Sequence, residues 1–301
     1  MIPLCPFLSE ADVRALLHMD QLIPAMERAL ADLSAGKIEQ PLRVVVPVND
    51  HRGFFGVMPA YAEALGAKLV TFYPNNAGVP THHALIVLFR PETGEPLVIM
   101  DGRLITEMRT AAVSAAATKV LAREDTAVLA ILGSGVQARS HLEALRLVRS
   151  FDEVRVWSPH SARAFAEQFQ VRATTTAEEA VRGADVVIVA TNAVVPVLQG
   201  DWLSAGVHVN AVGATRPDWR ELDDAVLTRS QIFVESQQAA MTESGDVIAS
   251  GKVPVEIGQV IAGKASGRAG SGDITLFKSV GVAVEDVVTA QLVWRAYAAH
   301  N

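Results

Sequence analysis

The sequence predicts an α/β protein built on a Rossmann-type doubly wound parallel sheet, preceded by a second α/β unit of different texture. Two observations carry this. From Arg43 to Asp101, short β-rich runs (RVVVPV, GFFGVMPAY, AKLVTFY, HALIVLFR, PLVIM) are separated by the turn clusters NDHRG, PNNAG and PETGE, the pattern of a meander. After Asp125, TAVLAIL, GSGVQARSHLEALRLV, EVRVWS and SARAFAEQF open an alternation of strands and helices that continues through DVVIVAT, VHVNAVG and QIFVES. Such alternation builds βαβ units and a parallel sheet.

The remaining elements follow in order. Residues 9–35 read as helical, with Ser9 as a cap and Val13, Leu16, Leu17, Ile23, Met26, Leu30 and Leu33 mostly at three- and four-residue spacing, until Gly36 ends the pattern. Residues 106–122, TEMRTAAVSAAATKVLA, form an alanine-rich helix whose small side chains permit close packing. From about Gly272, KSVGVAVEDVVTAQLVWRAYAAH reads as a carboxy-terminal helix.

Composition narrows the function. The chain has 301 residues, half of them hydrophobic, with 26 Lys and Arg against 33 Asp and Glu, a net charge of −7. That length predicts about two domains. An acidic balance without a basic block argues against nucleic acid or anionic membranes as partners. With a single cysteine, Cys5, there is no internal disulfide and no cysteine-based zinc site. The start, MIPLCPFLSE, lacks a basic signal-peptide region, and no apolar run approaches the roughly 18 residues that span a bilayer. The expectation is a cytoplasmic protein.

Gly133-Ser134-Gly135-Val136-Gln137-Ala138 has the form G-x-G-x-x-A after an apolar strand and at the head of a helix. Gly133 permits the tight turn, Gly135 admits a pyrophosphate near the backbone, and Ala138 keeps helix and sheet close. The helix start then offers free N–H groups to phosphates. A dinucleotide cofactor is the expectation. About 20 residues on, where an NAD enzyme places a carboxylate for the ribose 2′-hydroxyl, this chain reads Val156-Trp157-Ser158-Pro159-His160-Ser161-Ala162-Arg163. Ser158, His160, Ser161 and Arg163 suit a 2′-phosphate, so NADPH is preferred to NADH. Ser158 and Ser161 also suit helix capping.

Three cations interrupt the apolar pattern: Arg43 at a strand start, Lys68 inside AKLVTFY, and Arg109 in the first turn of the alanine-rich helix. A buried cation needs a partner or a ligand. Arg109 at a helix start would make an anion site for a substrate carboxylate, while an intramolecular ion pair is the plainer alternative for each. His82 and His83 adjoin, but neighbouring strand residues face opposite sides, so no metal site is expected. In RPDWRELDD, Pro217 and the early carboxylates read as a helix start.

At nearly full length the chain resembles the ornithine cyclodeaminase/mu-crystallin family, the mu-crystallin branch above all. The resemblance lies in QPLRVVVPV, HRGFFGVMPAY, MDGRLITEMRTAAVSAAATK, GSGVQARSH, NAVGATRPDWRELDD, ESGDVIASG and FKSVGVAVEDVV. It implies a substrate-binding and dimerisation domain, residues 1–120 joined by a terminal helix 281–301, around a Rossmann domain 121–280, and a homodimer formed by the first domains. It also implies substrate contacts at Arg43, Lys68, Arg109 and Val280, and cofactor contacts at Thr81, Val136, Gln137, Thr191, the turn including Val212 and Gly213, and Ser279. Cyclodeaminases carry an aspartate after NAVG where this chain has Thr215, which cannot act as a base near neutrality.

The resemblance therefore implies an NAD(P)H-dependent reductase of cyclic ketimines, Δ1-pyrroline-2-carboxylate or Δ1-piperideine-2-carboxylate, giving L-proline or L-pipecolate. Arg43 and Arg109 would hold the carboxylate, with Lys68 and Thr215 serving the imine nitrogen. The alternatives are reductive amination as in alanine dehydrogenases, ornithine cyclisation, and a binding protein without turnover.

Overall fold

The computed structural model describes residues 5–300 and divides into two compact units, one running up to Arg109 and resuming at Val282, the other Thr110–Gly281. In the first unit the elements are β1 (Phe7–Leu8), α1 (Glu10–Leu16), α2 (Met19–Ser34), β2 (Val44–Val48), β3 (Gly53–Tyr61), β4 (Leu65–Phe72), β5 (His82–Phe89) and β6 (Pro96–Asp101). Helix α3 (Arg103–Leu121) carries the chain across the division. The second unit adds β7 (Val128–Leu132), α4 (Val136–Leu145), β8 (Glu153–Trp157), α5 (Ala162–Phe169), β9 (Arg172–Ala173), α6 (Ala177–Val181), β10 (Val186–Val189) and β11 (His208–Ala211). It continues with α7 (Asp224–Arg229), β12 (Ser230–Val234), α8 (Gln237–Glu243), α9 (Gly245–Ser250), β13 (Val255–Glu256), α10 (Ile257–Ile261) and β14 (Ile274–Lys278), before α11 (Ala283–His300) returns to the first unit.

Ser9 caps α1 in a capping box, its Oγ accepting from the Asp12 N–H while the Asp12 carboxylate accepts from the Ser9 N–H. The helix read over residues 9–35 is in fact two: Leu17 and His18 are extended and break it between α1 and α2. The apolar spacing continues through the break, which is why periodicity alone does not reveal it. Strands β2 to β6 form the antiparallel meander, and β1 pairs in parallel with β6 to give the order β1-β6-β5-β4-β3-β2. Cross-strand register aligns Met58, Lys68, Ile86 and Met100 on one face. All four are buried, and α11 packs on β3, β4, β5 and α2. The opposite face aligns Val44, Val57, Leu69 and Leu85.

The second unit is an eight-stranded, wholly parallel sheet in the order β13-β12-β14-β11-β10-β7-β8-β9. Chain order reverses between β7 and β10, the switch point at which doubly wound sheets bind ligands outside their strand ends. β7 and β10 are continuous apolar runs because both faces are covered, and β11 is equally buried although it carries the polar His208 and Asn210.

Three local readings are corrected. β14, the fully buried run ITLFK inserted between β11 and β12, is a strand that the reading from Gly272 onward does not separate, and the carboxy-terminal helix, read from Lys278, begins only at Ala283. The stretch after Pro217 is loop, and α7 starts at Asp224 with Asp223 as its cap, accepting from the Val226 N–H at 2.8 Å. Finally, α3 starts at Arg103, so Arg109 is its seventh residue rather than part of its first turn. The dipole argument for an anion site at Arg109 therefore lapses, since that effect fades within one turn.

Candidate functional site

In the first unit the structure brings two of the three singled-out cations onto shared carboxylates. Lys68 comes from the middle of β4 and Arg109 from α3; α11 supplies Glu285 and Asp286 in its first turn. Lys68 Nζ lies 2.6 Å from Asp286 Oδ2, Arg109 Nε donates to Asp286 Oδ1 at 3.0 Å, and Arg109 Nη1 donates to Glu285 Oε2 at 2.7 Å. All four side chains are buried. The head of α11 is fixed in turn: the Val284 N–H donates to Gln40 Oε1 at 2.7 Å, and the Val282 N–H to Glu285 Oε2 at 3.3 Å.

Burial pushes the Lys68 ammonium down to about 8; Asp286 opposes this, while the positive charges of Arg109 and Arg43 push the same way. Burial would raise Asp286, but Arg109 and Lys68 outweigh it and hold the carboxyl below its usual range. His82, at the start of β5, is pushed down to about 4 by burial and by the same two cations, so it is neutral near pH 7. The register sets His82 opposite Phe72 and His83 opposite Thr71, on alternate faces. Among the described residues no group of three or more metal-ligating side chains is present. Arg43 lies half-buried just before β2, and Thr81 half-buried just before β5, its carbonyl accepting from the Tyr73 N–H.

The second unit holds the glycine loop at the switch point. Gly133 has φ +119°, and a Cβ there would run into the Ala190 carbonyl. Its N–H donates to the Trp157 carbonyl at 2.8 Å, tying the turn to the end of β8. A Cβ on Gly135, the N-cap of α4, would meet nothing within 4 Å. The backbone at that point is open to a bound group, as a pyrophosphate requires. These residues line a groove of about 380 Å³ with Trp157, Ser158, Pro159, His160, Ser161, Ala190, Thr191 and Val197. The fit to a dinucleotide is therefore good.

Ser134, Ser158 and Ser161 form a hydroxyl cluster, Ser134 Oγ lying 2.8 Å from Ser158 Oγ and 2.6 Å from Ser161 Oγ. Ser158 Oγ accepts from the Ser161 N–H, whereas Ser161 makes no side-chain cap to α5 although it occupies the N-cap. Arg163 stands exposed in the first turn of α5 and is not among the groove-lining residues. Val136 is exposed at the head of α4, while the Gln137 carbonyl accepts from His141 Nδ1 within that helix. Thr215 is exposed in the loop after β11; Ser279 and Val280 are buried past the end of β14.

Beneath the Val212–Gly213 turn lies a buried charge cluster that sequence reasoning missed. Glu221 Oε1 accepts from the Gly213 N–H at 2.8 Å and lies 3.0 Å from Lys278 Nζ, which also donates to the Gly213 carbonyl at 3.0 Å. Thr191 Oγ1 donates to Glu221 Oε2 at 3.3 Å, and Asp246 Oδ2 lies 3.5 Å from Lys278. Burial pushes Glu221 up to about 7; Lys278 opposes this and Asp246 adds to it. Glu285 and Asp286 were also missed. Their signal was the pair of adjacent carboxylates in an otherwise apolar VAVEDVV; Lys278 was a charge in apolar texture, and Glu221 stood among the charges of RPDWRELDD with nothing to set it apart.

A doubly wound parallel sheet with this glycine turn at its switch point defines a dinucleotide-binding protein of Rossmann type. The chain belongs to the ornithine cyclodeaminase/mu-crystallin family, whose profile matches residues 6–301. It is 48% identical over 305 residues to the ketimine reductase mu-crystallin of Mus musculus, covering 97% of each chain. Among solved structures it is similar to the Δ1-pyrroline-2-carboxylate reductase of Thermococcus litoralis in complex with NADH and L-proline, with TM-score 0.94, 39% identity and 98% of each chain covered. It is also similar to an archaeal alanine dehydrogenase dimer with bound NAD, with TM-score 0.93, 34% identity, and 99% and 97% of the two chains covered.

Proposed function

We propose that the protein is an NAD(P)H-dependent reductase of cyclic ketimines, converting Δ1-pyrroline-2-carboxylate or Δ1-piperideine-2-carboxylate to L-proline or L-pipecolate. The observation that carries this reading is the buried cluster of Lys68 and Arg109 on Asp286. Burial is the main cause of the lowered Lys68 pKa, and the positive charges of Arg109 and Arg43 add to it, so three cations act on a locality that holds the two carboxylates of Glu285 and Asp286. A substrate carboxylate supplies a further negative charge there, and guanidinium groups bind it bidentately. The relatives named above, a ketimine reductase and a pyrroline-2-carboxylate reductase seen with L-proline, support the substrate class.

When bound in the groove of the second unit, the dinucleotide supplies the hydride for the imine carbon. Gly133, Gly135 and the head of α4 would hold its pyrophosphate, and Ser158, His160 and Ser161 its adenosine ribose, the absence of a carboxylate there favouring NADPH. In the first unit Arg43 and Arg109 hold the carboxylate of the imino acid. Lys68, with a pKa near 8, both keeps a proton at neutral pH and releases one readily, so it is matched to protonate the imine nitrogen. Thr215 orients the N–H and, lacking a carboxylate, offers no base for ornithine cyclisation.

We assign dimerisation to the uncovered face of the first sheet. Val44 and Leu85 there are 58% and 43% exposed and lie in one cross-strand row with Val57 and Leu69, an apolar surface of the kind that pairs with another protein. No helix among the described residues is long and apolar enough to cross a membrane.

The test follows NADPH and NADH oxidation with both cyclic imines, with pyruvate plus ammonia, and with ornithine in parallel. Turnover of a cyclic imine well above the others is the expected result. Faster turnover of pyruvate and ammonia would transfer the assignment to an alanine dehydrogenase, and dinucleotide binding without turnover would leave a binding protein. An Arg109→Ala enzyme with unchanged kcat/KM would remove the carboxylate role of that residue.

A further inference from the structure

Glu221 and Lys278 are used by none of the chemistry above, yet they are fully buried and join the ends of three neighbouring strands. Thr191 follows β10, Gly213 follows β11, and Lys278 is the last residue of β14. Glu221 takes one hydrogen bond from each of the first two, and Lys278 closes the set by donating to the Gly213 carbonyl. Asp246 steadies the other side, accepting from the Glu221 and Leu222 N–H groups at 3.2 Å. Space is tight: a Cβ on Gly213 would run into both the Glu221 carboxylate and the Thr191 carbonyl. The next residue, Ala214, has φ +27°, outside the usual range for a residue with a side chain. A turn of that kind persists only where its surroundings over-determine it.

In a doubly wound sheet the two halves of a dinucleotide lie on either side of the switch point. The β7–β8 half carries the pyrophosphate turn and the adenosine ribose; β10, β11 and β14 make the other half, which leaves them the nicotinamide riboside. We infer that Glu221, held by Lys278, is a positioning residue that fixes the Thr191 and Gly213 turns for the nicotinamide end of the cofactor, without itself touching substrate or performing chemistry. This rests on the dinucleotide reading of the groove.

The experiment compares binding of NADPH with that of 2′-phospho-ADP-ribose, which keeps the adenosine half and lacks the nicotinamide, to the wild-type protein and to Glu221→Gln. The variant keeps the size of the side chain and removes its charge. The expected result is NADPH affinity at least tenfold weaker with 2′-phospho-ADP-ribose affinity within twofold. Unchanged NADPH affinity, or equal loss for both ligands, overturns the inference. If Glu221→Gln does not fold, Glu221→Asp decides: it keeps the charge and shortens the side chain, drawing the carboxylate back from Thr191 and the Gly213 N–H, and NADPH alone should weaken, by about threefold. Wild-type protein that binds neither ligand would instead reject the dinucleotide reading itself.

Discussion

Replacing Asp286 with Asn removes the charge shared by Lys68 and Arg109 and leaves the size of the side chain almost unchanged. Lys68 Nζ then faces a neutral amide in place of a carboxylate oxygen at 2.6 Å, and Arg109 retains Glu285 at 2.7 Å. Removing one partner of a buried ion pair costs about 3–5 kcal/mol, because the other charge stays out of water without compensation. For 301 residues melting together, with about 2.1 cal/mol/K of unfolding entropy per residue, that is a fall in Tm of about 5–8 °C. The same change acts on proton supply. Asp286 is the group that opposes the burial of Lys68, so without it the Lys68 pKa falls below about 8. In the wild type, kcat for imine reduction should decline as pH rises through about 8, where Lys68 loses its proton; in Asp286→Asn this limb should lie lower by about one unit or more, a difference of at least about 1.4 kcal/mol. Calorimetry and a kcat–pH profile from pH 6 to about 9.5 read the two effects separately. A variant with Tm within about 2 °C of wild type and an unmoved alkaline limb would refute the account of Asp286 as the anchor of both cations.

Three further outcomes are expected. Ser158→Asp sets a carboxylate among the hydroxyls of Ser134 and Ser161; kcat/KM with NADPH should drop by about tenfold or more through repulsion of the 2′-phosphate while that with NADH rises, and a variant that keeps its NADPH preference would place the 2′-phosphate elsewhere. His141 and His208 are buried neutral, pushed down to about 4 and about 3 chiefly by desolvation. Below their unfolded pKa of about 6.5 only the unfolded chain takes up these protons, so stability is fullest above that value and falls with pH, by about 2 kcal/mol per histidine at pH 5. A His208→Gln protein should show a shallower loss of Tm between pH 7 and about 5, and a slope identical to wild type would discount the histidine. Leu85→Lys plants a charge in the uncovered apolar row, beside Leu69, and sedimentation at micromolar concentration should give a monomer; an unchanged dimer would move the interface to another surface.

Local patterning was enough to find most of the elements and the glycine turn at the head of α4, since these depend on short-range rules. The alternation after Asp125, the run of turns between Arg43 and Asp101, and the glycine spacing at Gly133 and Gly135 each follow from steric and hydrophobic periodicities within a few residues. Where neighbouring elements share an apolar texture, those rules lose resolution. The single His18 between α1 and α2 is too little punctuation to interrupt an apolar spacing that runs on through it.

The sequence also identified Lys68 and Arg109 as cations in the wrong surroundings, but not what they meet. Burial obliges a charge to find a partner, and nothing in a one-dimensional pattern names that partner when it lies 176 or more residues away, as Glu285 and Asp286 lie from Arg109. Glu221 and Lys278, 57 residues apart, became a pair for the same reason, by the juxtaposition of strand ends in a parallel sheet. The sequence by itself determined which residues must be buried and which turn must be glycine, because those constraints are local. Tertiary structure decided which charges neutralise one another, and with that the proton affinity of each, because electrostatic energy depends on distances that only the folded chain sets.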